Sequence, residues 1–496
     1  MLPNLTVLTA LLAALPAASV HGRSRQFPTD AKGTIGGTIR PDTPRINVVN
    51  AQTKNDVKTT PGKLRFVENS GECEDPGIYQ ASGYGDLAAN ESIWFWFFEA
   101  RNNADTAPLT VWLNGGPGSS SMIGLFQEHG PCRITNDSKS VTLNPNSWNE
   151  VSNMLYIDQP VGVGYSHGTT KVGTTRDAAK DLWKFLQIWF NHPQFSKYQQ
   201  RQFSIWTESY GGHYGPALST YILDQNAAIA NGSLSDLPIN LKVLAIGDGL
   251  TDTYSQWPGY VTYAKSNPYH SPYVAQEIID AVQNNLTKAG GCLEQISGCY
   301  DTGAIDTCAD AQEFCNEYVL DPIVGDEWDP YYMAAKYPDP YPPALDEYLN
   351  NKSFLQAIGA ESGWAMTNDD VYFNFAQTGD WMLNFRPDLE RVVDAGVRTL
   401  IYVADADFLV NPAGIENMID AMHTKYSDEY AAQAYGNYTV KGVATGVYKN
   451  AGTFSYLRVF DVGHEIPAYS YGPLGVGEVA LQFFSQINSD QSLKST

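Results

Sequence analysis

Apolar residues along this chain fall into short unbroken runs that stop at turns rich in glycine, serine and aspartate, with stretches of helical periodicity between them. The clearest run, Phe203–Glu208, gives way abruptly to Ser209-Tyr210-Gly211-Gly212, which predicts a strand, a sharp turn and a helix start. The same pattern predicts strands over 108–113, 154–158, 241–246, 397–404 and 456–460. Between the second of these and Phe203, residues 175–191 carry Ala, Leu, Phe and Trp at helical spacing. Residues 79–86 and 93–99 read as a hairpin whose second strand is crowded with aromatic rings, a core feature rather than a binding face. Strands alternating with helices predict a mainly parallel central sheet with helices on both faces.

Several strand ends carry groups capable of chemistry. Ser209 is a candidate nucleophile, since a serine on a tight strand-to-helix turn holds its hydroxyl clear of the backbone near a helix N-terminus. The G-x-S-x-G pattern of that turn is incomplete, because Thr207 stands at the first glycine position. The strand at 108–113 runs into Asn114-Gly115-Gly116-Pro117-Gly118-Ser119-Ser120-Ser121, a loop whose glycines let a backbone N–H approach developing negative charge. Residues 397–404 deliver Asp405-Ala406-Asp407, and 456–460 deliver Gly463-His464-Glu465. Nucleophile, acid and base in the order Ser209, Asp407, His464 is the order of α/β-hydrolases, each residue just past a strand. Asp407 is favoured over Asp405 because it lies farther into the turn, where it can reach the imidazole.

Composition narrows the class. With 54 acidic and 31 basic residues among 496, and a net charge of −23, the chain has no electrostatic case for binding nucleic acid or anionic membrane. That balance fits an acidic working environment and equally a soluble secreted surface. Residues 1–22 hold an apolar run followed by small residues, with no Lys, Arg, Asp or Glu before Arg23, which predicts a signal peptide. No later stretch is apolar and long enough to span a bilayer, and the polar C-terminal tail carries no lipid-anchor signal. Secretion, with delivery to a vacuole as the other destination, makes glycosylation expected at Asn90, Asn136, Asn231, Asn285, Asn351 and Asn437, and disulfides expected among the six cysteines.

The blocks Trp112-Leu113-Asn114-Gly115-Gly116-Pro117-Gly118-Ser119-Ser120, Glu208-Ser209-Tyr210-Gly211-Gly212, Asp405-Ala406-Asp407-Phe408 with Asn411, and Gly463-His464-Glu465-Ile466-Pro467 resemble the signature blocks of the serine carboxypeptidases, secreted fungal members above all. The resemblance implies an α/β-hydrolase fold, Ser209 as nucleophile, His464 as general acid and base, Asp407 orienting the imidazole, and the Gly116 and Tyr210 N–H groups as oxyanion hole. It further implies that Asn114, Glu128 and Glu208 bind the substrate's C-terminal carboxylate, which acidic side chains can do only when one of them is protonated. The activity so implied is release of single C-terminal residues from peptides and proteins, through an acyl-enzyme and without metal or organic cofactor. An acyltransferase of the same fold is an alternative that Glu208 disfavours, because such relatives tend to carry Asp before the serine. A catalytically dead binding protein is another, which the intact triad disfavours.

The expected organisation is a signal peptide over 1–22, a lead over 23–63 that is a propeptide candidate, a first hydrolase segment over 64–251, a helical lid insertion over 252–375 and a second hydrolase segment over 376–490. The insertion is inferred from roughly 120 residues too many for a simple connection. Cys292, Cys299, Cys308 and Cys315 lie within it, and spacing alone allows three pairings. The resemblance favours Cys292 with Cys315 and Cys299 with Cys308, leaving Cys73 with Cys132; zinc is disfavoured by the lack of C-x2-C spacing. Three departures from the family pattern stand out besides Thr207: Ser119 where many relatives have a bridged cysteine, Val410 where some have a free cysteine, and Asp248 where an asparagine is frequent.

Overall fold

The computed structural model describes residues 59–496. The segment 1–22 and most of 23–63 lie outside the described residues. A twelve-stranded mixed sheet forms the centre. In chain order its longer strands are β1 Leu64–Glu68, β2 Gln80–Ala88, β3 Glu91–Phe98, β4 Leu109–Leu113, β5 Asn153–Asp158, β6 Phe203–Glu208, β7 Leu241–Gly247, β8 Arg398–Ala404, β9 Gly436–Val440, β10 Val443–Ala451 and β11 Phe454–Val459. Their spatial order is β1-β2-β3-β5-β4-β6-β7-β8-β11-β10-β9. From β5 to β11 neighbours run parallel. Antiparallel strands finish both edges.

The parallel strands are buried along their whole length in β4, β5, β6 and β8, as a sheet covered on both faces requires. The aromatic strand β3 divides its rings by strict alternation. Phe95 and Phe97 enter one core with Phe185 and Trp189 of helix Thr175–Asn191 and Leu218 of helix Gly211–Ala230. Trp94, Trp96 and Phe98 enter the other with Trp112, Trp148, Trp206, and Phe483 and Phe484 of helix Glu478–Asn488. Trp148 stacks on Phe484 at 4.1 Å and Trp206 meets the same ring at 4.9 Å, so the sheet face and the last helix are locked through indoles.

Between β7 and β8 the chain makes a run of helices and a small hairpin, Trp328–Asp329 with Tyr332–Lys336. Two helices there, Cys292–Thr302 and Ile305–Cys315, are stapled by disulfides Cys292–Cys315 and Cys299–Cys308; Cys73–Cys132 is the third bond. This region reaches over the carboxyl ends of the central strands: the Tyr331 carbonyl accepts from His464 N at 2.8 Å, and Gln127 Nε2 donates to the Pro343 carbonyl at 2.7 Å. Asn90, Asn136, Asn231, Asn351 and Asn437 are exposed, while Asn285 is half-buried and donates its amide nitrogen to the Tyr318 carbonyl at 3.2 Å.

Candidate active site

Asn114, Ser209, Asp248, Asp407 and His464 all follow the carboxyl ends of central strands, where ligands of open α/β sheets bind. Ser209 is held at φ 64°, a conformation that costs a non-glycine residue free energy. Its surroundings enforce it: Ser209 N donates to the Gly247 carbonyl at 2.9 Å, while its own carbonyl accepts from Gly212 N at 2.9 Å and Leu250 N at 3.0 Å. Thr207 fits because the residues above it lack side chains. A Cβ at Gly211 would fall 2.4 Å from Thr207 Cβ, and one at Gly215 3.2 Å from its Oγ1.

The loop after β4 lies directly on this turn. A Cβ on Gly115 would come within 2.3 Å of Tyr210 N, which brings the Gly115-Gly116 backbone against the Tyr210 amide. Tyr210 is fixed from behind by its hydroxyl, which donates to Asp380 Oδ2 at 2.7 Å; Asp380 also accepts from Thr175 N at 3.0 Å. No cysteine ties the loop at Ser119. Backbone pairing does so instead: Ser120 N donates to the Met366 carbonyl at 2.8 Å and Asn368 N to the Gly118 carbonyl at 2.9 Å. Beneath it Asp158 accepts from Ser120 Oγ at 2.7 Å and from Ser121 N at 2.8 Å, while burial raises its pKa to about 6.

His464 Nδ1 and Asp407 Oδ2 are 2.6 Å apart, both side chains fully buried. Asp407 Oδ1 accepts from Leu409 N at 2.8 Å and Val410 N at 3.2 Å. Burial lowers the imidazole's pKa, but Asp407 and, farther off, Glu208 and Glu465 outweigh it, so the net shift is upward from 6.5. Asp405 points elsewhere, accepting from Tyr269 OH at 2.6 Å and Asp461 N at 2.7 Å. Among the described residues, Asp248, Asp407 and His464 bring three donor atoms within 4.8 Å of one another. Asp407 turns both its oxygens to N–H groups of the chain and Asp248 turns one, Oδ1, to Ala404 N.

Asn114, Glu128 and Glu208 converge beside Ser209. Trp112 Nε1 and Gly124 N donate to Asn114 Oδ1 at 2.6 and 3.0 Å, which fixes the amide and turns its Nδ2 toward Glu128 Oε1 at 3.4 Å and Glu208 Oε1 at 3.2 Å. Glu128 ends a single π-helical turn, Gly124–Glu128, whose close fit needs glycine: a Cβ at Gly124 would overlap the Trp112 indole at 2.1 Å. Burial, then the charge of Glu465, raises Glu128 to about 8, although its hydrogen bonds with Glu208 and Asn114 pull the other way. Both Oε1 atoms thus lie against the one Asn114 amide, and two buried carboxyls so close disfavour double ionisation, so burial favours a proton on Glu128.

Two supporting groups were not foreseen from the sequence. Arg133 donates to the Glu128 carbonyl from Nε at 3.0 Å and Nη2 at 2.6 Å, to Pro467 O at 3.1 Å and to Val476 O at 2.9 Å. It thereby ties the Glu128 segment to the His464 loop, and burial lowers its pKa to about 10. Asp380, holding Tyr210, lies 170 residues beyond it, a distance no local pattern bridges.

Fold and site together define an α/β-hydrolase whose serine turn, Asp-His pair and buried carboxyls on Asn114 meet at one end of the sheet. The profile described as "Serine carboxypeptidase" matches residues 72–485, and the chain belongs to that family as a serine-type carboxypeptidase. It is 40% identical over 437 residues to Carboxypeptidase S1 of Penicillium janthinellum, covering 87% of this chain and 100% of that one. It is 34% identical over 402 residues to Carboxypeptidase Y of Schizosaccharomyces pombe, covering 79% of this chain and 40% of the other. Among solved structures it is similar to Kex1(delta)p, a prohormone-processing carboxypeptidase from Saccharomyces cerevisiae, with TM-score 0.68, 20% identity, and coverage of 86% of this chain and 94% of that one.

Proposed function

We propose that this chain is a secreted carboxypeptidase that releases single C-terminal amino acids through an acyl-enzyme on Ser209. Ser209 Oγ attacks the carbonyl of the last peptide bond while His464 Nε2 takes its proton, and Asp407 stabilises the resulting imidazolium. The Gly116 and Tyr210 N–H groups receive the oxyanion. His464 then protonates the departing amine, and water, deprotonated by the same imidazole, releases the shortened peptide.

The observation that carries this reading is the convergence of the buried Glu128 and Glu208 carboxyls on the Asn114 amide, with Glu128 raised so that it holds a proton and Glu208 adjacent to Ser209 in sequence. Such a group offers donors to a substrate carboxylate and so favours an exopeptidase over a general esterase. The pair and His464 also bound the pH range. Turnover requires a neutral imidazole, which its raised pKa opposes at low pH, and a proton on the pair, which is lost above about 8.

The test is covalent labelling with a phosphonofluoridate, together with mass analysis of products from a C-terminally varied peptide library. The expected result is one adduct on Ser209, loss of activity, and release of one residue at a time from the C-terminus. Internal cleavage, or full activity of Ser209→Ala, would refute the proposal.

A further inference from the structure

Asp248 is the departure whose consequence the sequence does not yield. It follows β7, fully buried, at φ 42°, with its N–H on the Tyr402 carbonyl at 2.9 Å. That left-handed backbone turns the side chain toward the Asp-His pair. Oδ1 accepts from Ala404 N at 2.8 Å. Oδ2 finds no N–H or O–H donor among the described residues, and a carboxylate oxygen of Asp248 lies within 4.8 Å of one of Asp407. Two buried carboxylates so placed cannot both be ionised without a large repulsion, and one proton turns that repulsion into an O–H···O bond. The surroundings decide which acid holds the proton. Asp407 accepts from two backbone N–H groups and faces His464 Nδ1, all of which favour its ion, whereas Asp248 accepts from one backbone N–H.

We propose that Asp248 is a positioning residue that stays protonated in the active enzyme, donates its O–H to Asp407, and switches the triad off when it ionises. The proposal rests on the carboxypeptidase reading above and adds a second titration to it. The groups facing Asp248 are Asp407 beyond β8, Glu208 at the end of β6, Glu128 across the site, Tyr402 on β8, and His464 beyond β11. Burial first, then the charges of Asp407 and Glu208, push its pKa well up, so the proton is retained far above the ordinary aspartate range. When pH rises through that value, a second negative charge appears beside Asp407. It repels the carboxylate from Nδ1 and leaves its oxygen without the donated hydrogen bond. The resulting loss belongs to kcat, whereas loss of the proton from the Glu128 and Glu208 pair belongs to KM for substrates with a free carboxylate.

The experiment measures kcat against pH on a peptide amide, which has no terminal carboxylate, for wild type, Asp248→Ala and Asp248→Asn. The alanine removes the donor and lowers kcat about 10- to 100-fold in the acid range, as loss of a hydrogen bond to a charged group does. Asparagine, a donor that cannot ionise, restores kcat and extends the plateau to higher pH. Difference infrared spectra supply a second readout that needs no turnover: a protonated carboxyl C=O band present in wild type disappears in Asp248→Asn. Phosphonofluoridate labelling of Ser209 separates the readings, since labelled variants with altered kcat profiles support the proposal. Superimposable kcat profiles for wild type and Asp248→Asn, wild-type kcat in Asp248→Ala, or no change in the carboxyl band would each overturn it while leaving the labelled triad standing. A wild type that takes no label would overturn both.

Discussion

Replacing the C-terminal carboxylate by an amide isolates what Glu128 and Glu208 contribute. With Glu128 at about 8, the protonated, carboxylate-accepting form is nearly fully populated at about pH 6 and falls to about one tenth at about pH 9. Affinity for a free-acid peptide follows that fraction, so its KM should rise about tenfold over the interval, equivalent to about 1.4 kcal/mol. Charge adds to the loss, because the substrate carboxylate then meets two ionised glutamates with Glu465 close behind. The matched amide meets none of this and should hold its KM within about twofold. Glu128→Gln keeps an N–H donor at the same place and removes one titrating acid; for the free acid it should reduce the tenfold rise to about twofold. The assay is steady-state kinetics of the acid and amide pair across pH, with KM and kcat resolved separately. Parallel KM profiles for acid and amide would mean that the pair does not receive the carboxylate, even if Ser209 labels.

Three further outcomes follow from the packing around the site. Arg133→Met cuts the link between the Glu128 carbonyl and the Pro467 loop, and should raise KM for free-acid peptides about tenfold while Ser209 still labels; an unchanged KM would show the clamp to be idle. Gly211→Ala drives a methyl into Thr207 and should destabilise the turn by about 1–3 kcal/mol by thermal unfolding, with Thr207→Gly restoring it in the double variant; additive losses would refute the pairing. Stability should fall as pH rises from the ordinary carboxyl range towards 8. Glu128 at about 8, Asp158 at about 6 and Asp405 at about 6 hold protons in the fold that the unfolded chain has released, at about 1.4 kcal/mol per pH unit for each such proton. Differential scanning calorimetry should therefore give a higher Tm in mild acid than near pH 8, and the reverse order would refute the buried-proton account.

The central strands were legible because a sheet buried on both faces leaves continuous apolar runs, and β4 to β8 with β11 are of that kind. The edge was less so. Strands β1, β9 and β10 have mixed exposure, and the turn joining β9 to β10 uses Lys441 at φ 49° before Gly442 at φ 79°, where Asn-Gly or Asp-Gly would have announced a hairpin. Helix and loop boundaries in the insertion carry similarly weak local signals, since those helices are short and pack through disulfides and aromatic rings from distant segments.

For the site, the divide is between groups marked by a local turn and groups whose meaning depends on what lies opposite. Ser209, Asp407 and His464 each end a strand, and a strand's end can be read from its own sequence. Thr207 looks like a flaw in the turn, yet the compensation stands in the same short segment: Gly211 and Gly215, four and eight residues on and one turn apart on the following helix, both face the Thr207 side chain. Asp248 had no such local clue, because what makes it unusual is Asp407, 159 positions away. The same reasoning bears on the excess of acid in the composition. Glu128, Glu208, Asp248, Asp158 and Asp380 are all buried. The charge count treats every one as a surface anion at neutral pH, while burial favours the protonated form of Glu128, Asp158, Asp248 and Asp380. Part of what reads in sequence as a strongly negative surface is thus an interior set of acids whose carboxyls burial shifts upward, and its pH response belongs to catalysis and folding rather than to solubility.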